Sequence, residues 1–338
     1  MIEHGRDIFP GSKTLEEYSD LTPLLTNTII DDEYVQRDAV AVKAKRQFHQ
    51  LGQLAILLIA GSAIFTLADA LIPTFVPDSF ILRLIAVSAA GVGVVLQLYL
   101  ISTGQKHKWL LNRYATERLR SIKFQAYQCC YTAASPDDLK DQVDSFIRRS
   151  IADLDNELNG GISILRNFDA TEAYKAVETI GPPANPALAQ LGLDAFKELR
   201  VKYQLVFANS EVERFNTRRR VFNSTQDIVY LIAAVLTFLA LGAGLYEPLR
   251  ALMPIGWIEF LVVSCFVAGA TEAILDNALL EEQSQSRYEQ YARHISAVLL
   301  RARDPGASLG HVVAEMEALC LNELAQFCAA AQKISYRF

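Results

Sequence analysis

The side chains able to do chemistry are sparse in this chain and poorly grouped. Its five histidines (His4, His49, His107, His294, His311) stand apart, none at ligand spacing from a cysteine or carboxylate. The five cysteines, Cys129, Cys130, Cys265, Cys320 and Cys328, form no CxxC or Cys/His pattern and read as reduced, mostly buried thiols. Cys129 and Cys130 are adjacent, but neighbours on a helix point in different directions. Gly160-Gly161 follows a helical pattern and lacks the GK[ST] that completes a phosphate loop. No Ser/His/Asp set stands in a motif context. The sequence therefore predicts no catalytic residue, no metal ligand and no cofactor, and a protein that is not an enzyme.

What remains are polar residues inside long apolar runs, where burial in lipid is costly. Glu272, with Thr271 beside it, falls near the inner end of one run, and Gln97 near the inner end of another. In an oligomer Glu272 and Thr271 would ring a pore mouth and favour cations; the simpler reading is an interfacial carboxylate near water. Asp69, Glu259 and Arg83 fall near outer ends, where a salt bridge or snorkelling accounts for them. The middles of the runs (56–65, 85–95, 232–241) are nearly free of charge. A hydrophobic constriction, or opening by rearrangement, fits them better than a standing hydrophilic pore. Ala89 and Gly93 make a small-xxx-small pair and, with Gly61, are candidates for close helix packing.

The elements that must position these residues are four apolar runs, 51–75, 80–101, 228–246 and 257–275. Each approaches the about 20 residues that match a hydrocarbon core. Turn residues pair them into hairpins: Pro73, Pro77, Asp78 and Ser79 in the first, and Glu247, Pro248, Arg250, Pro254 and Gly256 in the second. The expected fold is all-α, with four transmembrane helices and long cytoplasmic helical extensions. A mean hydropathy of +0.17 alongside 21% charged residues fits apolar spans alternating with charged segments. The net charge of -6 argues against a nucleic-acid partner, which requires a basic face. Arg37, Lys43, Lys45 and Arg46 precede the first run, Lys106, Lys108, Arg113, Arg118 and Arg120 follow the second, and Arg214, Arg218, Arg219 and Arg220 precede the third. The tips carry only Arg83 and Arg250, so both tips should lie outside, with both termini in the cytoplasm. Trp109 and Trp257 suit interfacial anchoring. No cleavable signal peptide is visible ahead of the first run.

Taken in order, residues 1–30 read as a partly ordered lead-in, and 31–50 as a helix running into the first span. A charged stalk covers 105–131. Ser135 then reads as an N-cap, with Pro136 at the first helical position and Asp137 and Asp138 in the first turn. The helix it opens places Leu139, Val143, Phe146, Ile147, Ile151, Leu154 and Leu158 on one face and ends at Gly160 and Gly161. Residues 181–186 (Gly-Pro-Pro-Ala-Asn-Pro) mark the best unit boundary. An amphipathic helix over 187–225 leads to the third span. A second stalk covers 281–301, Asp304-Pro305-Gly306 breaks it, and a final helix over 308–332 presents Val312, Val313, Met316, Leu319, Cys320, Leu324 and Phe327. The second half repeats the plan of the first at an offset of about 175 residues. Lys45-Arg46-Gln47-Phe48 matches Arg219-Arg220-Val221-Phe222, and Asn112-Arg113-Tyr114-Ala115 matches Glu289-Gln290-Tyr291-Ala292. Both repeats start from the same side of the membrane, so the units, 31–180 and 181–338, are parallel.

A two-helix membrane hairpin followed by the stalk Trp109-Leu-Leu-Asn-Arg-Tyr-Ala-Thr-Glu-Arg-Leu-Arg120 resembles the SLATT group of two-transmembrane bacterial effectors. The stretch from Val312 to Phe327, with Glu323 and Phe327, is similar to their closing helix. The resemblance covers roughly 32–335 as a tandem pair; the second stalk lacks an equivalent of Trp109. It implies a homo-oligomer in the lipid bilayer that compromises the inner membrane in a nucleotide-signalled anti-phage system. No nucleotide-binding module is recognisable, so the signal would come through a partner, such as a nucleotide-sensing or nucleotide-synthesising protein, or through a pocket among the cytoplasmic helices. The alternative from another class is a non-conducting scaffold that anchors a cytoplasmic complex.

Overall fold

Helices account for all the regular structure among the residues that this computed structural model describes, namely 7–71, 79–161, 163–168, 174, 182–245, 255–279, 281–304 and 306–334. In chain order α1 (Ser12–Glu17), a 3-10 turn (Ser19–Leu21) and α2 (Thr22–Leu25) precede α3 (Thr28–Leu71). Then come α4 (Ser79–Thr103), α5 (Gln105–Gln125), a 3-10 turn (Ala126–Gln128), α6 (Cys129–Thr132), α7 (Pro136–Leu158) and α8 (Ser163–Asn167). The rest comprises α9 (Pro186–Phe196), a π-helical turn (Lys197–Lys202), α10 (Tyr203–Leu245), α11 (Ile255–Leu279), α12 (Glu281–Arg301) and α13 (Leu309–Lys333). The all-α expectation holds.

Local chemistry explains the helix ends. The backbone N–H of Asp138 donates to the Ser135 hydroxyl at 3.2 Å, and Pro136 opens α7, where its missing N–H costs nothing. Asn185 caps α9 in the same way, accepting from the Leu188 N–H at 3.2 Å ahead of Pro186. Ser308 caps α13, accepting from the His311 N–H at 3.2 Å. Gly104 sits at φ +59°, a conformation that separates α4 from α5 and that a side chain would strain.

Three helices among the described residues are long and apolar enough to cross a membrane: α3, Arg83–Thr103 of α4, and Gly256–Leu275 of α11. They are compatible with a multi-pass membrane protein. The run expected at 228–246 belongs to α10, but residue 246 and the side chains of 230 and 240–245 lie outside the described residues. So do the tip residues Pro73, Pro77, Asp78, Glu247, Pro248, Arg250 and Pro254.

The chain forms two compact units, each drawing on both halves of the sequence. One gathers Met1–Ala44, His107–Arg214 and Gln283–Lys333; the other gathers Lys45–Lys106, Phe215–Glu282 and Ile334–Phe338. We call them the polar and the apolar unit. In the apolar unit the large side chains point outward: Phe238 is 78% exposed, and Phe80 and Val87 are each 70% exposed. Small and polar residues sit inside, among them Ala55, Ala60, Ser62, Ala86 and Thr271. The hydroxyls of Ser62, Thr237 and Thr271 donate to carbonyls one turn back on their own helices. Arg83 and Asp69 pair at 2.7 Å, one of the two explanations that the sequence offered for these polar groups. α3 and α4 approach so closely at Gly93 that an added Cβ would lie 2.7 Å from Ile59 Cγ1 and 3.1 Å from the Ala55 carbonyl. At Gly256 it would overlap the Leu71 carbonyl, bringing α11 against α3. At Gly61 it would meet open space.

In the polar unit, Ile8, Leu21, Leu24 and Leu25 of the lead-in are buried, so a segment rich in turn residues contributes to a core. α7 buries Leu139, Val143, Ile147 and Leu154, the face read from the sequence. α13 buries Val312, Val313, Met316, Leu321 and Leu324, and also Glu317. α9 lies against α6 and α13 at Gly192, where a Cβ would come within 2.9 Å of Cys130 Sγ and 3.2 Å of Leu309 Cδ2.

Overpacking of a helix contact costs about 1–3 kcal/mol. Gly93→Ala is therefore expected to lower the melting temperature in detergent clearly, while Gly61→Ala leaves it within the scatter of surface changes. Equal effects at the two glycines would contradict the packing described.

Candidate functional site

The strongest concentration of chemistry lies inside the polar unit, where charged side chains from six stretches of chain meet. Arg200, on the π-helical turn, is 1% exposed, and Glu317 of α13 is fully buried. The two form a fork, Nε to Oε1 at 2.7 Å and Nη2 to Oε2 at 3.0 Å. This bidentate geometry is the strongest pairing that arginine makes with a carboxylate. The guanidinium also stacks over Phe124, 4.6 Å from the ring centre, in an aromatic cluster of Phe124, Tyr127 and Phe196.

Arg120 of α5 lies beside it. Its Nη1 donates to both Glu117 oxygens at 2.9 Å, and its Nη2 to the Tyr34 hydroxyl at 2.6 Å. Between the two arginines sits Asp7, with its side chain fully buried; its Oδ2 is 3.2 Å from Arg120 Nε and 3.6 Å from Arg200 Nη1. Lys123, one turn along α5, donates to the carbonyls of Ile8 at 2.8 Å and Leu25 at 3.0 Å and to Asp31 at 2.6 Å. Arg113 pairs with Glu117 at 2.5 Å, and Arg287 with Glu323 at 3.3 Å.

Burial and pairing act on these groups in opposite directions. Burial opposes the charge on Arg200, but Cys320 and the Glu317 carboxylate outweigh it and hold the guanidinium pKa above its ordinary value. For Lys123 burial wins over Asp31, and its ammonium pKa falls; burial likewise raises the Asp31 carboxyl pKa against the pull of Lys123. Burial also raises Glu323, with Arg287 opposing it. The thiols of Cys129 and Cys328 are pushed up to about 12, chiefly by burial. The chemistry available to this cluster is electrostatic clamping, fixing remote segments through permanently charged forks.

The residues singled out from the sequence fall elsewhere. Gln97 is half-buried in the apolar unit with its Nε2 buried and without a hydrogen-bond partner; the Ser264 hydroxyl is in the same position. Thr271 is buried with its hydroxyl on the Val267 carbonyl, and Glu272 is half-buried. Gly93 stands at a close approach, and Ala89 on the same helix is half-buried. Trp257 packs edge-on against Phe260 at 6.2 Å. Trp109, read as an interface anchor, is 3% exposed in the polar unit, edge-on to Phe327 at 6.2 Å. Sequence reading missed Arg200, Glu317 and Asp7. Glu317 did leave a signal, for it interrupts the apolar face between Val313 and Leu321.

Comparison with family models, curated proteins and solved structures finds no match.

Breaking a buried ion pair from one side strands a charge and costs about 3–5 kcal/mol. Glu317→Gln should therefore destabilise the polar unit severely, whereas the double variant Arg200→Met with Glu317→Leu recovers a large part of the loss; additive losses in urea titration would refute the pairing. Alkylation at pH 8 should leave Cys129 and Cys328 unmodified until the chain is unfolded, because their thiolates are scarce and inaccessible. Their folded pKa of about 12 exceeds the ordinary 9.0, so the stability they lend is complete below pH 9 and falls as pH rises towards 12. Thermal melts across that range check the sign.

Proposed function

We propose that the chain is a bacterial inner-membrane effector that oligomerises and permeabilises or depolarises the membrane in a nucleotide-signalled anti-phage defence system. In this reading four helices cross the bilayer as two parallel hairpins, the termini are cytoplasmic, and a nucleotide-sensing or nucleotide-synthesising protein supplies the trigger. The SLATT resemblance supplies the biological setting.

One observation carries the reading: the apolar unit is turned inside out relative to a water-soluble core. Many of its long aliphatic and aromatic side chains face outward, and only 17% of the most apolar 18-residue window of each candidate span is buried. Its interior holds the Gln97 amide and the Ser264 hydroxyl without hydrogen-bond partners. Lipid satisfies the outside. A buried polar atom inside a bilayer is tolerated where a second copy, a water file or an ion completes it. That requirement favours an oligomer with a hydrated interior over a passive anchor. The charge-poor middles of the spans favour a closed resting state that opens by rearrangement.

Controlled expression in bacterial cells, followed by a potential-sensitive dye, tests this reading. Induction together with the neighbouring genes should depolarise the membrane within minutes. Gly93→Leu should abolish the effect, and Glu272→Gln should change the cation preference of the leak. A membrane that stays sealed with those partners present refutes permeabilisation and leaves the scaffold reading, in which a cytoplasmic complex is held at the membrane without ion flux.

A further inference from the structure

Asp7 can leave the charged cluster of the polar unit without unpairing the cations that it faces. Arg200 keeps the Glu317 fork, Arg120 keeps Glu117 and the Tyr34 hydroxyl, and Lys123 keeps Asp31 of α3. Asp7 adds a second carboxylate to arginines that already have one. Its contacts are also the poorest in the cluster: both oxygens are buried without a hydrogen bond, as are the facing Arg120 Nε and Arg200 Nη1. Asp7 is therefore held by Coulomb attraction alone, in a place where desolvation of the carboxylate offsets much of that attraction.

The stretch that follows Asp7 is tied to a second buried cation. Lys123 grips it through the Ile8 and Leu25 carbonyls, and burial lowers the pKa of the Lys123 ammonium. The 3-10 turn lies on α9 and α2 lies on α7. The seam with α7 is incomplete. A cleft of about 530 Å³, lined by Ser19, Thr22, Asn27, Pro136, Lys140 and Arg148 among others, runs beside it. Asn27 spans the seam, donating from Nδ2 to Asp144 at 2.8 Å, while its buried Oδ1 is left without a partner. The segment is anchored by the buried Ile8, Leu21, Leu24 and Leu25. Its polar ties, however, are an optional counter-ion, a grip on two carbonyls and a seam with a cleft beside it, so it can come away as one unit without stranding another charge.

We propose that residues 7–27 are a releasable latch. Docked, they insert Asp7 between Arg120 and Arg200 and cover the adjoining faces of α7 and α9. Withdrawn, they uncover those faces while the remaining ion pairs hold the unit together. The latch rests on the contacts above; the consequence of opening it, membrane depolarisation without a trigger, rests on the proposed function.

Hydrogen exchange measured by mass spectrometry on the full chain in lipid nanodiscs tests it, with Asp7→Asn as the first variant and Lys123→Met as the second. In Asp7→Asn, peptides within 7–27 are expected to exchange about tenfold faster or more, with peptides from α7 and α13 unchanged. Lys123→Met should produce the same local pattern. Acceleration of all peptides together would make Asp7 an ordinary core residue and overturn the latch, as would no change in either variant. The same variants, expressed without partners, separate the two ideas. Local opening with depolarisation supports both, and local opening with a sealed membrane keeps the latch and tells against permeabilisation.

Discussion

A guanidinium and a carboxylate taken out of water must find each other with full geometry or the fold does not hold, and the Arg200–Glu317 fork is where this chain meets that demand. Neither group retains solvent, so their desolvation is offset by two short, parallel hydrogen bonds, by the Phe124 face and by the nearby Asp7 carboxylate. The fork joins residues 117 positions apart, one on the π-helical turn and one on α13. Around it the packing of α5, α9 and α13 is fixed: Gly192 lets α9 close on α6 and α13, and Phe196 joins the aromatic cluster on which Arg200 lies. A hydrophobic pair in the same place would tolerate sliding; the fork does not, because a shift of one residue strands two charges.

Local signals were legible and tertiary ones were not. Ser135 followed by Pro136 and two aspartates opens a helix wherever it occurs, and the apolar period of α7 gives its buried face without further knowledge. The apolar runs need only a length rule. Gly93, read as a packing residue from its spacing with Ala89, stands at a helix contact, while Gly61, read in the same way, faces open space, because spacing does not say which side a neighbour occupies. Trp109 was read from its position after a span, yet its surroundings are set by Phe327, far along the chain.

The charged cluster was hidden for a different reason. Arginine, lysine and glutamate in stalk-like helices are solvated in most proteins, and their burial depends on partners that sequence order does not pair. Glu317 alone betrayed itself, by occupying a position where α13 otherwise presents Val313, Met316, Leu321 and Leu324. Asp7 and the lead-in were obscured by Pro10, Gly11 and Pro23, which argue for loops locally. The buried Ile8, Leu21, Leu24 and Leu25 are too few and too irregularly spaced to declare a face before their partners are known.

The π-helical turn gives the cluster a mechanical meaning. A π turn spends an extra residue on one turn of backbone, and such turns are frequent at functional sites. Here Arg200 of the fork lies within the turn, and α10 begins at Tyr203, directly after it. In an α-helix each residue advances the chain by about 100°, so moving the extra residue along the helix rotates the intervening faces by the same angle. The fork therefore fixes which faces at the start of α10 point inward, including that of Gln204, whose side chain accepts from Tyr291 at 3.3 Å.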